Sequence, residues 1–236
     1  GLLAVKRSQK LCLTINFRKT SSFVLMPKLH LEVLPPSQRY FWDQLQEHGG
    51  FLKKQSYYLA GGSALALHLG HRRSLDFDFF SPRKALAEST KYGLEGFTDF
   101  LIRDQDKNTL HLEIKGVKVS FLSGYKYPIL EPLIDSGQIS LASVLDLALM
   151  KLLALTHRAT MRDYIDLAVI LRDHIALPHL LETSRRKYGK NFNVMIPLRA
   201  LVTFSDIDPE MPKILDLDLK RSWREILRKA VKKASV

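Results

Sequence analysis

Tyr57-Tyr58-Leu59-Ala60-Gly61-Gly62-Ser63-Ala64-Leu65-Ala66-Leu67-His68-Leu69-Gly70, followed by His71-Arg72-Arg73-Ser74-Leu75-Asp76-Phe77-Asp78-Phe79-Phe80, is the stretch from which the fold is read. An apolar strand runs into a glycine pair, then a short helix, then a strand carrying two carboxylates. Glycines let a backbone approach a bulky anion with no Cβ in the way. Ser63 is expected to cap a helix over 63–69, leaving first-turn amides free for an anion, and Gly70 suits the helix end. Strand residues two apart share a face, so Asp76 and Asp78 project together while Leu75, Phe77 and Phe79 face a core. Two adjacent carboxylates repel unless a cation sits between them. A hard ion such as Mg²⁺, with phosphate oxygens completing its shell, suits that pair. The order therefore fits a site that holds a metal-bound triphosphate.

Bulk composition is compatible with that reading. The chain has 236 residues and is 46% hydrophobic, enough for one domain of moderate size or two small lobes. Its 36 Lys and Arg against 24 Asp and Glu leave a formal charge of +12. Such a field favours polyanions: nucleotides, tRNA or other RNA, or an acidic partner protein. Cys12 is the only cysteine, which excludes an internal disulfide or a cysteine zinc site and fits a reducing cytoplasm. No apolar run approaches a membrane span. Residues 1–25 carry Lys6, Arg7, Lys10, Arg18 and Lys19 and no acid, and read as a disordered or mis-assigned extension before Met26. A signal peptide is the alternative, although the apolar runs are short for one.

Outward from the quoted stretch, Ser37 is expected to cap a helix to His48, stopped by Gly49-Gly50. Residues 84–93 suggest a helix. Strands are expected over 97–103, 109–114 and 117–122, with a tight turn at Lys115-Gly116. From Ser140 onward the pattern is helical. Ser143 with Asp146, and Thr160 with Asp163, read as capping boxes. Further helices are expected over 178–188, 193–203 and 219–234. The expected division is a mixed α/β lobe over 26–138 and a helical lobe over 139–236.

A second group lies in the helical part: Lys151, Arg158, Arg162, Asp163 and Asp166. At about 100° per residue, Lys151, Arg158, Arg162 and Asp166 share one face of a continuous helix, and a break near 158–160 turns that face into a corner. Basic groups there would offset phosphate charge; the same residues would also make an ordinary ion network. Arg72 and Arg73 directly precede the acidic pair, where Arg73 in particular is placed to meet a phosphate. His68 and His71 read as helix and turn residues. The terminal run from Lys220 to Lys233 suits either RNA or solvent.

The glycine turn, the His-Arg-x-Ser-x-Asp-x-Asp-Phe-Phe run and the Lys151…Arg162-Asp163-x-x-Asp166-Leu167 pattern together resemble the AbiEii/AbiGii-type toxins, the nucleotidyltransferase-like proteins of type IV toxin–antitoxin systems. The likeness covers Leu59 to Pro82 and resumes over Asp146 to Leu167. It implies an α+β fold, a nucleotidyltransferase-like mixed β-sheet flanked by helices with a C-terminal helical lobe. It also implies Mg²⁺ held by Asp76 and Asp78, and an NTP bound at Gly61, Gly62, Ser63, Arg73, Lys151 and Arg158. Asp76, Asp78, Lys151 and Asp163 would serve catalysis, an RNA or protein hydroxyl would accept the nucleotidyl group, and an antitoxin would be a partner. One departure stands out. Nucleotidyltransferases place a third carboxylate on a neighbouring strand, and Ser120 occupies that place. Glu113, Asp99 or Asp163 is left to substitute, or else the chain is a nucleotide- or RNA-binding module without activity.

Overall fold

The computed structural model describes residues 28–97, 100–158, 160–190, 192–204, 207 and 210–234. The extension at 1–25 and Asp99 therefore lie outside the described residues. Seven strands form one mixed sheet: β1 (Tyr58–Ala60), β2 (Asp76–Ser81), β3 (Phe100–Gln105), β4 (Thr109–Ile114), β5 (Val117–Ser123), β6 (Ile134–Ser136) and β7 (Ile139–Leu141). Their spatial order is β3-β4-β5-β2-β1-β7-β6. Neighbours run antiparallel except β2 with β5 and β1 with β7, which are parallel.

Alternation along the strands sorts the sheet into two faces. Phe77, Phe79, Leu110, Leu112, Ile114, Val117, Val119 and Phe121 are buried on one. There they meet α1 (Pro36–His48) and α2 (Gly50–Lys54), with Phe41 edge-on to Phe77 at 5.3 Å and Phe51 at 6.0 Å from Phe121. The opposite face carries Asp76, Asp78, Glu113, His111, Lys118 and Ser120. Strand β1, between β2 and β7, is buried along its length.

Helix α3 (Gly61–Leu69) leaves β1 directly, and α4 (Ala87–Gly93) crosses between β2 and β3. The C-terminal part supplies α5 (Val144–Ala154), α6 (Met161–Asp173), α7 (Leu177–Tyr188), α8 (Met195–Ala200) and α9 (Leu217–Ala234). Trp223, Leu219 and Leu227 of α9 are buried. Tyr164 of α6 lies 6.0 Å from the Trp223 ring.

Several boundaries differ from the sequence reading. Helix α1 starts at Pro36 after Pro35, so Ser37 is an interior residue and not a cap. Gly49-Gly50 bends the chain into α2 instead of ending helical structure. Leu75 precedes β2 and is exposed rather than in the core. The β6–β7 hairpin lies where a lobe boundary is expected, and β7 continues the sheet beyond residue 138. Ser143 caps α5 as expected, its hydroxyl accepting the Asp146 amide at 3.0 Å. Thr160 differs: its hydroxyl donates to the Asp163 carboxylate at 2.6 Å and caps no amide.

Candidate active site

The glycine pair has specific steric reasons. Gly61 takes φ +65°, a region costly for residues with a Cβ, and a Cβ there would sit 2.6 Å from Asp78 Oδ2. At Gly62 a Cβ would lie 2.5 Å from Arg72 Nη2. The bend thus lies against the acidic strand. Helix α3 begins at Gly61, so Ser63 is not the cap. Its buried hydroxyl instead donates to the Asp76 carbonyl, tying α3 to β2. Whatever caps the helix, its first-turn amides have no acceptor within it.

Asp76 and Asp78 line one cleft of about 440 Å³ with Arg103, His111, Glu113, Lys118 and Ser120. Asp78 pairs in register with Ala60 on one side and Ser120 on the other. Burial pushes the Asp78 carboxyl above its ordinary range and the neighbouring Asp76 charge adds to that, while the Ser120 hydroxyl, Lys151 and Arg158 oppose it. Arg162 Nη1 approaches Asp76 Oδ2 only to 3.5 Å. The donor set fits Mg²⁺. Two carboxylates share a face, burial and the Asp76 charge leave the Asp78 carboxyl raised, and Mg²⁺ commonly takes one or two protein carboxylates with substrate phosphate and water.

Behind this pair lies a buried ion cluster. Asp166, fully buried, accepts from Arg72 Nε at 2.6 Å and Nη2 at 2.8 Å, and lies 2.7 Å from Lys151 Nζ. His71 Nε2 is 2.8 Å from the same carboxylate. Burial alone would push the Asp166 carboxyl up, but the Arg72 and Lys151 charges and the Arg72 and His71 hydrogen bonds hold it well below the usual carboxylate range. Burial likewise pushes the His71 imidazole down. Lys151 Nζ also donates to Asp163 Oδ1 at 2.7 Å. Asp163 Oδ2 takes the Thr160 hydroxyl and lies 3.6 Å from Arg158 Nε.

The structure therefore brings Asp76, Asp78, Gly61 and Gly62 together. The helix breaks between Ala154 and Met161, giving the corner rather than the continuous face. Arg72 is neither solvated nor free for a phosphate, because Asp166 binds it in two-pronged fashion. Arg73 is half-buried, its amide donating to Lys213 O at 2.9 Å and its Nε buried with no hydrogen-bond partner among the described residues. Asp163 is buried, with both oxygens occupied. Glu113 reaches the cleft face, but Arg103 Nη2 holds its Oε2 at 2.7 Å.

The sequence reading missed two contacts. One is the Arg72–Asp166 pair, for which no local signal exists. The other joins His111 Nδ1 to Ser120 Oγ at 3.0 Å. Its signal was available: counting outward from the two-residue turn at Lys115-Gly116 sets His111 opposite Ser120. A larger cavity of about 780 Å³ lies beside Tyr164, Met195, Ile196 and Arg199, and its described lining contains no carboxylate.

A glycine bend against paired aspartates on a mixed sheet, backed by helices, defines a nucleotidyltransferase-like fold. The chain belongs to the family described as nucleotidyl transferase AbiEii toxin, type IV TA system, whose model matches residues 50–235. It is 34% identical over 178 residues to the uncharacterized protein aq_aa25 of Aquifex aeolicus (strain VF5), covering 72% of this chain and 82% of that protein. Among solved structures it is similar to MenT4, nucleotidyltransferase toxin Rv2826c of Mycobacterium tuberculosis H37Rv, with TM-score 0.55, 17% identity and 83% of each chain covered. It is also similar to JHP933 of Helicobacter pylori, with TM-score 0.50, 16% identity, and 86% of this chain and 95% of that one covered. These last two likenesses concern the fold. Among the described residues no helix is long and apolar enough to cross a membrane.

Proposed function

We propose that the chain is a Mg²⁺-dependent nucleotidyltransferase that moves a nucleotidyl group from an NTP to a hydroxyl of RNA or protein, as the toxin of a toxin–antitoxin pair. The observation that carries this is the like-charged Asp76–Asp78 pair on one strand face, with Asp78 against the Gly61 bend and Asp76 met by Arg162 at 3.5 Å. Asp76 and Asp78 would hold Mg²⁺, which when bound offsets phosphate charge. The amides of Gly62 and Ser63 at the start of α3 receive phosphate oxygens. Lys151 has two N–H groups committed to Asp163 and Asp166, which leaves one of its three for the nucleotide. Asp163 is then a positioning residue that aims Lys151. Arg158 is largely exposed and able to turn from Asp163 towards a phosphate, and the unpartnered Nε of Arg73 is a further donor. The acceptor oxygen attacks the α-phosphorus and pyrophosphate leaves. Charge offset and positioning supply most of the rate gain.

The net charge of +12 favours RNA as the acceptor. Ser120 motivates a second reading, a binding module without transfer, since serine supplies no charge in the third position. Incubation with each labelled NTP, Mg²⁺ and a tRNA pool, beside calorimetry with Mg-NTP, tests both. Incorporation that is lost in Asp76→Ala and Asp78→Ala supports transfer. Binding with no incorporation into tRNA or into protein favours the module. Neither binding nor incorporation overturns both.

A further inference from the structure

We infer that His111 is the group that takes the proton from the acceptor hydroxyl, with Ser120 as the residue that positions it. The inference rests on the transferase reading above.

Three side chains form a row across the sheet. Asp78 on β2 pairs in register with Ser120 on β5, and Ser120 pairs with His111 on β4. All three side chains line the same cleft. Serine is short, so the middle position of the row leaves space above it. The histidine from the next strand fills part of that space and hydrogen-bonds to Ser120 Oγ at 3.0 Å through Nδ1.

Register sets Ser120 beside Asp78, where its hydroxyl favours the ionised carboxylate, and towards that carboxylate an O–H can only donate. The Ser120 oxygen is then left to accept, and the donor is the His111 Nδ1–H. With Nδ1 carrying the proton, Nε2 of the neutral ring presents a lone pair. A neighbouring hydrogen bond that selects the tautomer is a recurrent device in sites that use histidine as a base.

The other groups of the cleft are less free. Glu113 shares the cleft, but Arg103 binds its Oε2 through both Nε and Nη2, which leaves only Oε1. Asp163 is buried behind Lys151 with both oxygens occupied. Lys118 is cationic. Among the described residues lining this cleft, His111 is the one with a ring nitrogen able to accept a proton.

The step balances simply. The acceptor O–H bond breaks, its proton passes to His111 Nε2, and its oxygen forms the new bond to the α-phosphorus. The bond from that phosphorus to the bridging oxygen breaks, and pyrophosphate departs with the electron pair. The imidazolium then releases its proton to solvent.

His111→Asn tests the assignment, because its side-chain amide keeps an N–H for Ser120 and has nothing in the place of Nε2. Transfer of label from NTP to the tRNA or protein acceptor should fall by about 10²–10⁴-fold, while calorimetric affinity for Mg-NTP stays within about twofold of wild type. Nitrogen-15 spectra of the metal-free protein should place the His111 proton on Nδ1, and Ser120→Ala should abolish that preference, with Ser120→Thr restoring it. A wild type that transfers label and a His111→Asn variant that transfers it equally well would overturn the inference and leave the transferase reading standing. A wild-type ring protonated on Nε2 would also overturn it. Absence of transfer by the wild type would overturn both.

Discussion

Two acidic groups a few residues apart in space have opposite electrostatic circumstances. Asp166 is fully buried and surrounded by Arg72, Lys151 and His71, so its charge is matched inside the protein. Asp76 keeps 40% of its side chain exposed and has a 3.5 Å contact with a half-exposed arginine, while Asp78 beside it is desolvated and repelled. The first arrangement is complete without any ligand. The second is a liability that a divalent cation would relieve. A carboxylate's role is thus set by whether its counter-charge comes from the chain or is left for something else to supply.

Removing Asp166 should give the largest effect on the fold. Asp166→Asn leaves Arg72 and Lys151 buried with one carboxylate fewer, and should cost about 3–5 kcal/mol in denaturant unfolding. Its pH signature follows from a folded-state carboxyl held well below the ordinary range. The stability it contributes is full above that range and is lost as pH falls through the folded value. Wild type should therefore lose more stability than Asp166→Asn on acidification; parallel curves would break the comparison.

The open pair should behave in the contrary way. Asp76→Ala and Asp78→Ala should reduce Mg²⁺-dependent NTP affinity by about 100-fold or more, equivalent to roughly 2.7 kcal/mol, with the circular dichroism spectrum unchanged. Asp78→Asn, measured with a chelator present, should raise Tm by about 2–4 °C. The Asp78 carboxyl is raised in the folded state, so ionising it penalises folding above the ordinary carboxylate range and not below it. A lower Tm in that variant at neutral pH would count against the repulsion.

Lys151 belongs to both regions and should show both effects at reduced size. Lys151→Ala should destabilise by about 1–3 kcal/mol, since two buried carboxylates lose a partner. It should also weaken triphosphate binding about tenfold more than nucleoside binding; equal losses would assign it to the scaffold alone. Arg158→Ala should be mildest, changing stability by under about 0.5 kcal/mol because the group is exposed.

The sheet strands that carry the site were legible because period-two alternation and a glycine pair are local signals. Asp76 and Asp78 follow from them directly. Two kinds of feature were not. Caps at Ser37, Ser63 and Thr160 look alike in sequence, yet none of the three caps an amide: Ser63 reaches the Asp76 carbonyl, Thr160 bonds the Asp163 carboxylate one turn on, and Ser37 lies inside a helix that starts at Pro36. Contacts across long separations were the second kind. Arg72 beside an acidic pair looks available for phosphate until Asp166 arrives from α6 to claim it. Strands β6 and β7, with three residues each, are too short for a periodic signal.

That Arg72–Asp166 contact spans 94 residues of chain. During synthesis the arginine emerges long before its counter-ion, and a guanidinium cannot settle into a dry interior alone. The turn ahead of β2 consequently stays unsettled until α6 has left the ribosome, and β2 also waits for β5, its parallel neighbour. Protease protection of the β2 segment in stalled nascent chains, tested before and after residue 166 emerges, would reveal this delay; early protection would contradict it.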